Sequence, residues 1–284
     1  MTGATGGLGG RVARRLAERG VPQRLVVRDP ARAPELPDAR VVAADYGDTE
    51  AMLAALAGVR TLLLVSATET EDRVSRHLSA VDAAAAAGVS HVVYVSFYGA
   101  APGATFVLAR HHWRTEEAIR ASGVGFTFLR DSLYQDVLPY WVGADGALRG
   151  PAGDGRCAFV ARDDIADVAV TVLLEAGAHD GQTYDLTGPE ALSFHDVAAE
   201  LGRQSAHPVT YQPETLEEAY ASRAPYGAPE WMVEGWVSTY AAVAQGELDG
   251  VSDDVARVAG RAPQSFAEYL RRNPAELNRI RDLA

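Results

Sequence analysis

The amino-acid sequence predicts an α/β protein with a doubly wound parallel sheet, the Rossmann fold, and a small C-terminal α/β lobe. Three observations lead to this prediction. A glycine-rich stretch opens the chain, short apolar runs alternate with helical patterns, and a glycine follows most of the predicted helices. Continuous apolar runs are typical of parallel strands covered on both faces, and their alternation with helices is the pattern of βαβ units.

The glycine-rich stretch spans residues 2–10 and runs into a helical pattern over residues 8–19. Glycines there permit a tight turn and let the backbone approach a diphosphate, while the helix N-terminus turns its free N–H groups toward the anion. The stretch therefore predicts a dinucleotide site. Its candidate cofactor-binding residues are Gly3, Thr5, Gly6, Gly7, Leu8 and Gly9.

A strand should precede this glycine loop, but only Met1 does. In this fold that strand is central and lies between the strands at 24–27 and 61–65. Without it, two parallel edges would hold unpaired backbone groups, which costs several kcal/mol or more. We therefore expect the natural chain to begin a few apolar residues upstream.

The remaining N-terminal elements follow from apolar spacing and from their end signals. Strands are predicted where apolar residues run together, and helices where they recur every three or four positions. Asp48 or Thr49 can cap one helix, and glycine ends the helices because it readily adopts a left-handed backbone. In chain order we predict strands at 24–27 and 41–44, helix 49–57, strand 61–65, helix 72–87, strand 91–96, helix 106–122 and strand 126–130.

The pattern is less regular after residue 130. Pro139 interrupts a short helical pattern at 135–142, and a glycine-rich connection follows at 143–155. We divide the chain into an NAD(P)-binding domain at 1–142 and a mixed segment at 143–284 that adds a last sheet strand. The further predicted elements are helix 163–176, strand 183–186, helix 194–203, strand 209–211 and a mostly helical remainder from 214.

Composition excludes several classes of function. The net charge of −12 argues against nucleic acid or an anionic membrane as a partner. Cys157 is the only cysteine and the histidines lack metal-ligand spacing, so no metal site is expected. No apolar run is long enough to cross a bilayer and no signal peptide is evident, which favours a cytoplasmic protein. All basic residues are arginine, so no lysine is available for catalysis.

The end of the second strand bears on the choice of cofactor. Ligands of such sheets lie beyond the carboxyl ends of the strands, and the first residue after that strand is Arg28. A guanidinium can bind a 2′-phosphate through two hydrogen bonds, so NADP(H) is preferred over NAD(H). Asp29 follows directly and leaves the choice open, and Arg28 could also be an ordinary surface arginine.

Several motifs in fixed order resemble the NmrA-like atypical short-chain dehydrogenases, and among them the type-2 NAD(P)H:quinone oxidoreductases. They are TGATGGLGG, LVVRDP, AADYGD, LLLVSATE, RHHWRTEEAIRASGVGFTFLR, GDGRCAFVARDDIADVAV and TYDLTGP. The resemblance implies a Rossmann fold and hydride transfer from a nicotinamide cofactor. By this likeness Gly3–Gly10 would hold the diphosphate, Arg28 the 2′-phosphate, Asp45 and Tyr46 the adenine, Ser66, Ala67 and Thr68 the nicotinamide ribose, and Arg130 would close over the nicotinamide.

A quinone acceptor suits a site without lysine. Quinone reductases of this kind lack the Tyr-x-x-x-Lys pair, and an electron-poor acceptor needs mainly orientation and exclusion of water. We expect Phe97, Tyr98, Tyr134 and Trp141, and also Phe159, to form the walls of the substrate pocket, although ordinary core packing is an alternative for each. His112 or Tyr134 is the candidate proton donor. His111 and His112 could instead be an exposed pair on a helix.

Two classes of function fit these features. The first is an NADPH-dependent oxidoreductase acting on a quinone or a related small carbonyl compound. The second is an NmrA-type sensor that binds NAD(P) without turnover. An open aromatic cavity beside the nicotinamide would favour the enzyme, and a filled one the sensor. A nucleotide-sugar epimerase is disfavoured because the Tyr-x-x-x-Lys pair is missing. Apolar helices that flank such sheets often form dimers, so a homodimer is one option, and the sequence leaves the oligomeric state open.

Overall fold

The computed structural model describes residues 1–283. Its main sheet contains four parallel strands in the order β3-β4-β5-β8, and β1 and β2 form a parallel pair beside it. The strands are β1 (Gln23–Val27), β2 (Ala39–Ala43), β3 (Thr61–Val65), β4 (His91–Phe97), β5 (Gly125–Asp131), β6 (Ala147–Gly150), β7 (Arg156–Cys157), β8 (Gln182–Leu186), β9 (Leu192–Ser193) and β10 (Thr210–Pro213).

Helices cover both faces of this sheet. One face packs against α1 and α5, and the other against α2, α3 and α4, so that β4 is buried along its whole length. The helices are α1 (Gly7–Glu18), α2 (Thr49–Leu56), α3 (Arg73–Ala86), α4 (Val107–Ala121), α5 (Arg162–Leu174), α6 (Phe194–Ser205), α7 (Leu216–Arg223), α8 (Glu230–Ala244), α9 (Asp254–Ala259), α10 (Phe266–Arg272) and α11 (Asn278–Arg281).

This three-layer arrangement confirms the predicted fold class. The strands predicted from apolar runs in the N-terminal half are present within one or two residues of their predicted ends. None of the helices within residues 1–283 has the length and apolar character needed to cross a membrane.

The chain after β5 differs from the sequence prediction in one stretch. The connection predicted at 143–155 contains β6, which pairs in parallel with β10, and β7 begins directly after it and pairs antiparallel with β9. A separate core lies here, with Phe194, Leu201 and Tyr269 buried together. The domain boundary at 142 and 143 stays a prediction.

Met1 and Thr2 lie between β1 and β3, where the fold calls for a central strand. The carbonyl oxygen of Met1 accepts the N–H of Val26 at 2.9 Å, and the N–H of Thr2 donates to Leu63 at 2.9 Å. The Thr2 hydroxyl also accepts the N–H of Val65 at 3.0 Å. These bonds join the two parts of the sheet, and the expectation of upstream residues stays a prediction.

Candidate functional site

Two adjoining cavities open at the carboxyl ends of the parallel strands. The first cavity lies between the glycine loop and the ends of β1, β2 and β3. The second cavity, of about 750 Å³, lies between the glycine loop and the ends of β4 and β5, and α8 covers it. Gly6 and the segment from Val65 to Thr68 line both cavities, so the two are continuous along one edge of the sheet.

The glycine loop is shaped by two close backbone approaches. Gly3 has a φ of +70°, and a Cβ atom there would lie 2.7 Å from the Cβ of Val65. A Cβ atom on Gly9 would lie 2.2 Å from the carbonyl oxygen of Gly3. Only glycine therefore permits this turn. The turn places the N-terminus of α1 beside the cavities, where its free N–H groups can donate hydrogen bonds to an anion. Gly3, Thr5 and Gly6 line the first cavity, and Gly6, Gly7, Leu8 and Gly9 line the second.

Two arginines line the far side of the first cavity. Arg28 and Arg32 are both exposed there, and neither forms an ion pair within residues 1–283. The carboxylate of Asp29 instead accepts the N–H of Ala31 at 3.0 Å and caps the short 3₁₀ turn that carries Arg32. Asp29 is absent from the cavity wall. Asp29, which left the choice between NADP(H) and NAD(H) open in the sequence, therefore positions Arg32 at the cavity.

Asp45 and Tyr46 line the same cavity from the end of β2. Asp45 accepts a hydrogen bond from Arg76 at 2.7 Å, so its charge is already paired. The Tyr46 hydroxyl contacts the hydroxyl of Thr2 and lies 2.6 Å from the carbonyl oxygen of Val65. Tyr46 therefore also ties β2 to the junction between the two parts of the sheet.

The loop from Ser66 to Thr68 is held by two side chains of α3. Nε2 of His77 accepts the N–H of Ala67 at 2.8 Å, and Nε of Arg73 donates to the carbonyl oxygen of Ala67 at 3.0 Å. Because Nε2 accepts, the His77 ring is neutral, and burial lowers its pKa to about 3. The Ser66–Thr68 loop, which forms the wall shared by the two cavities, is thus held in place by hydrogen bonds with α3.

The second cavity has mostly aromatic and apolar walls. Phe97 and Phe106 are in edge-to-face contact with ring centres 4.8 Å apart, and Trp141 and Trp236 face the cavity from a 3₁₀ segment and from α8. Arg162 and Tyr134 lie beside the glycine loop, with the guanidinium 4.7 Å from the centre of the tyrosine ring. Such walls suit a flat, apolar ring.

The hydrogen bonds of His112 bear on its predicted role as a proton donor, which stays a prediction. Nε2 of His112 lies 2.9 Å from a guanidinium nitrogen of Arg73, and an arginine only donates, so this nitrogen accepts. Nδ1 therefore carries the proton and donates it to Tyr94 at 2.9 Å. Burial and the Arg73 charge hold the His112 pKa well below its usual value. His112 lines the second cavity as a neutral, fully bonded ring.

Tyr134 and Asp131 form a buried pair at the second cavity. The Tyr134 hydroxyl donates to one carboxylate oxygen of Asp131, and the other oxygen has no hydrogen-bond partner within residues 1–283. Asp131 is only 1% exposed, and burial raises its pKa to about 7. This carboxyl can therefore hold a proton near neutral pH. The role of Tyr134 as a proton donor stays a prediction.

Three predicted residues lie away from the cavities. Tyr98 faces Gly250, and its hydroxyl occupies the space that a Cβ atom there would take. Arg130 forms a double hydrogen bond with Glu116, at 2.8 and 2.6 Å, because that fully buried carboxylate needs a cation. Phe159 is buried against Phe194 in the C-terminal core.

His111 precedes His112 on α4. It does not line either cavity, and burial lowers its pKa to about 4. Several residues that the sequence did not predict also line the two cavities, namely Arg32, Arg73, Asp131, Arg162, Phe106 and Trp236. Asp131 was predictable as a cavity residue because it lies at the end of a strand. Arg73 was not, because nothing in the sequence shows where a side chain at the start of a helix points.

A glycine loop that opens a helix at the carboxyl edge of a parallel sheet defines a dinucleotide-binding protein of the Rossmann class. Residues 3–176 match the sequence profile of the NAD(P)H-binding family, and the chain belongs to that family.

Whole-chain comparisons agree with this assignment. The NAD(P)H azoreductase of Xenophilus azovorans is 34% identical over 281 residues, covering 97% of each chain. Quinone oxidoreductase 2 of Escherichia coli (strain K12) is 35% identical over 279 residues, covering 95% of this chain and 96% of the other. These relatives confirm the resemblance inferred from the motifs.

Solved structures give the same result. A crystal structure of an NADPH-dependent quinone oxidoreductase from Escherichia coli, complexed with NADPH, matches with a TM-score of 0.87 at 34% identity, covering 95% of this chain and 98% of that one. The negative transcriptional regulator NmrA, solved in complex with NADP, matches with a TM-score of 0.76 at 18% identity, covering 98% and 95%, and shares the fold.

Proposed function

We propose that this protein is an NADPH-dependent oxidoreductase that transfers hydride to a quinone or a related small carbonyl acceptor. The observation that carries the proposal is the open second cavity, which continues from the first along Gly6 and the Val65–Thr68 segment. Its volume of about 750 Å³ lies within the range of small-molecule sites. A sensor without turnover has no need for this space.

The residues present fit NADPH. The glycine loop and the N-terminus of α1 would bind the diphosphate, and Arg28 and Arg32 would bind the 2′-phosphate. Ser66, Ala67 and Thr68 would lie beside the nicotinamide ribose, where His77 and Arg73 hold the loop. When bound, NADPH supplies the hydride.

The second cavity would bind and orient the acceptor. Phe97, Trp141 and Trp236 would stack against a planar ring and exclude water from it, which is the main demand of hydride transfer to an electron-poor acceptor. The Tyr134–Asp131 pair would hold a proton for the reduced oxygen. The two relatives named above as a quinone oxidoreductase and an azoreductase support an acceptor of this planar, electron-poor kind.

A steady-state assay tests this proposal. NADPH and NADH oxidation would be followed by the loss of nicotinamide absorbance with a panel of benzoquinones and naphthoquinones, and we expect one quinone reduced for each NADPH consumed. Cofactor binding would be measured separately by fluorescence. Binding of NADPH with quinone reduction at background would reject the enzyme in favour of the sensor.

The arginine pair can be tested in the same assay. Charge-assisted hydrogen bonds contribute about 1.5–3 kcal/mol, so Arg28→Ala and Arg32→Ala should each raise KM for NADPH by roughly ten- to hundredfold and leave KM for NADH unchanged. Arg40→Ala is the matched control, because Arg40 is an exposed arginine of β2 away from the cavity. Equal effects on both cofactors would contradict a 2′-phosphate site. A homodimer and a cytoplasmic location also remain part of this proposal.

A further inference from the structure

Arg73 is buried in the wall of the second cavity without a carboxylate partner. The residue is 3% exposed, and within residues 1–283 no acidic side chain lies within ion-pair distance of it. Buried arginines are otherwise almost always paired with an anion. An unpaired buried cation in a binding cavity therefore calls for an explanation.

The hydrogen bonds of this guanidinium are incomplete. Nε donates to Ala67 and Nη2 donates to His112, and both of these acceptors are uncharged. Nη1 is buried and has no hydrogen-bond partner within residues 1–283. A buried charged donor without a hydrogen bond is destabilising. We therefore expect a ligand to supply the acceptor for Nη1 of Arg73.

The side chains that contact Arg73 are uncharged and do not neutralise its positive charge. His112 accepts from it through a lone pair and stays neutral, and Tyr94 lies behind that ring. Glu69 also lines the cavity, but its side chain is exposed and lies beyond ion-pair distance. Burial lowers the pKa of Arg73 from a very high starting value, so the side chain remains a cation.

We propose that Arg73 binds the anionic oxygen that forms on the acceptor, so that the site selects acceptors whose reduced form is a phenolate-type anion. This rests on the proposed function. Hydride addition to a quinone delivers two electrons and one proton, which gives the hydroquinone monoanion with its charge on oxygen. A second proton, from solvent or from the carboxyl of Asp131, then completes the hydroquinone. Arg73 stabilises the charge that exists between these two steps.

The first test measures binding and needs no turnover. The probe is 4-nitrophenol, which titrates near neutrality and absorbs in the visible range only as the phenolate. In the presence of NADP⁺, we expect the wild-type protein to favour the phenolate over the phenol by about ten- to hundredfold, seen as a lowered pKa of the bound probe. Arg73→Gln should abolish this preference, and Arg73→Lys should retain part of it.

Arg162→Gln is the matched control, since Arg162 is the other arginine that lines the second cavity. It should leave the phenolate preference intact. An unshifted pKa of the probe bound to wild-type protein would overturn the proposal. So would a preference that survives in Arg73→Gln but is lost in Arg162→Gln. Thermal unfolding and NADPH binding of each variant would identify any that fails to fold, and Arg73→Lys then carries the test.

The second test uses activity and separates this proposal from the proposed function. With a quinone that wild-type protein reduces, Arg73→Gln should lower kcat at least tenfold, and Arg73→Lys should recover part of the rate. Phenolate binding through Arg73 without any quinone turnover would reject the proposed function and keep the anion site. Quinone turnover that is unaffected in Arg73→Gln would reject the role of Arg73 and keep the proposed function.

Discussion

Replacing Asp131 with asparagine removes a carboxyl group that burial makes harder to ionise. Burial raises the Asp131 pKa from 3.8 to about 7 in the folded protein. Between these two values the folded state holds a proton that the unfolded state releases, so this carboxyl stabilises the fold at low pH and loses that contribution as pH rises through 7. The amide that Asp131→Asn introduces would keep an oxygen for the Tyr134 hydroxyl and would have no such titration.

The size of the effect follows from linkage. A folded pKa near 7 against an unfolded pKa near 3.9 makes the wild-type free energy of unfolding fall by about 2.5 kcal/mol between pH 5 and pH 8 from this group alone. The Asp131→Asn variant should lack this component. Relative to wild type, the variant should therefore gain stability as the pH rises, by that same amount.

Urea unfolding followed by tryptophan fluorescence at pH 5, 6.5 and 8 would measure the difference. Asp82→Asn is the control, because it makes the same substitution at an exposed carboxylate on α3. If wild type and Asp131→Asn lost stability in parallel between pH 5 and pH 8, the raised pKa and the reasoning from burial would both be wrong.

Three further outcomes are expected. Gly9→Ala would push a Cβ atom to 2.2 Å from the Gly3 carbonyl oxygen, so NADPH affinity measured by fluorescence should fall tenfold or more, and an unchanged affinity would contradict the loop geometry. Arg130→Met leaves the buried Glu116 carboxylate short of its main partner and should cost about 3 kcal/mol in urea unfolding with KM for NADPH unchanged, whereas a higher KM in a fully stable variant would return Arg130 to the cofactor site. Cys157 is fully buried and its pKa is raised to about 12, so a disulfide reagent should label it only at the rate of unfolding, and rapid labelling of native protein would show access to this core.

The fold was largely predictable because its signals are local. The strands β3 and β4 contain continuous apolar runs, and buried parallel strands need such runs because both of their faces are covered. The β6 and β7 strands were missed because they are very short and lie in or directly after a glycine-rich stretch. Only their pairing with distant parts of the chain defines them.

The site was only partly predictable because side-chain direction depends on packing. Neighbouring residues on a strand point to opposite faces, and on β5 the structure turns Asp131 toward the cavity and Arg130 toward Glu116. The motif ends at Arg130 and does not include Asp131, and the sequence alone does not show which of these two side chains faces the cavity. Arg28 was identifiable because its strand ends at the cavity, and Arg73 was not, since a residue at the start of a helix can point several ways.

The two neutral histidines beside the loop make its position insensitive to mild acid. His77 accepts from Ala67 and His112 accepts from Arg73, and protonation of either ring would remove its acceptor. Burial lowers the pKa of His77 to about 3, so the loss of its acceptor is confined to strongly acidic solution, and burial also lowers the pKa of His112 well below its usual value. The hydrogen bond from Ala67 to His77 should therefore persist in weakly acidic solution, which keeps the loop between the two cavities in place there.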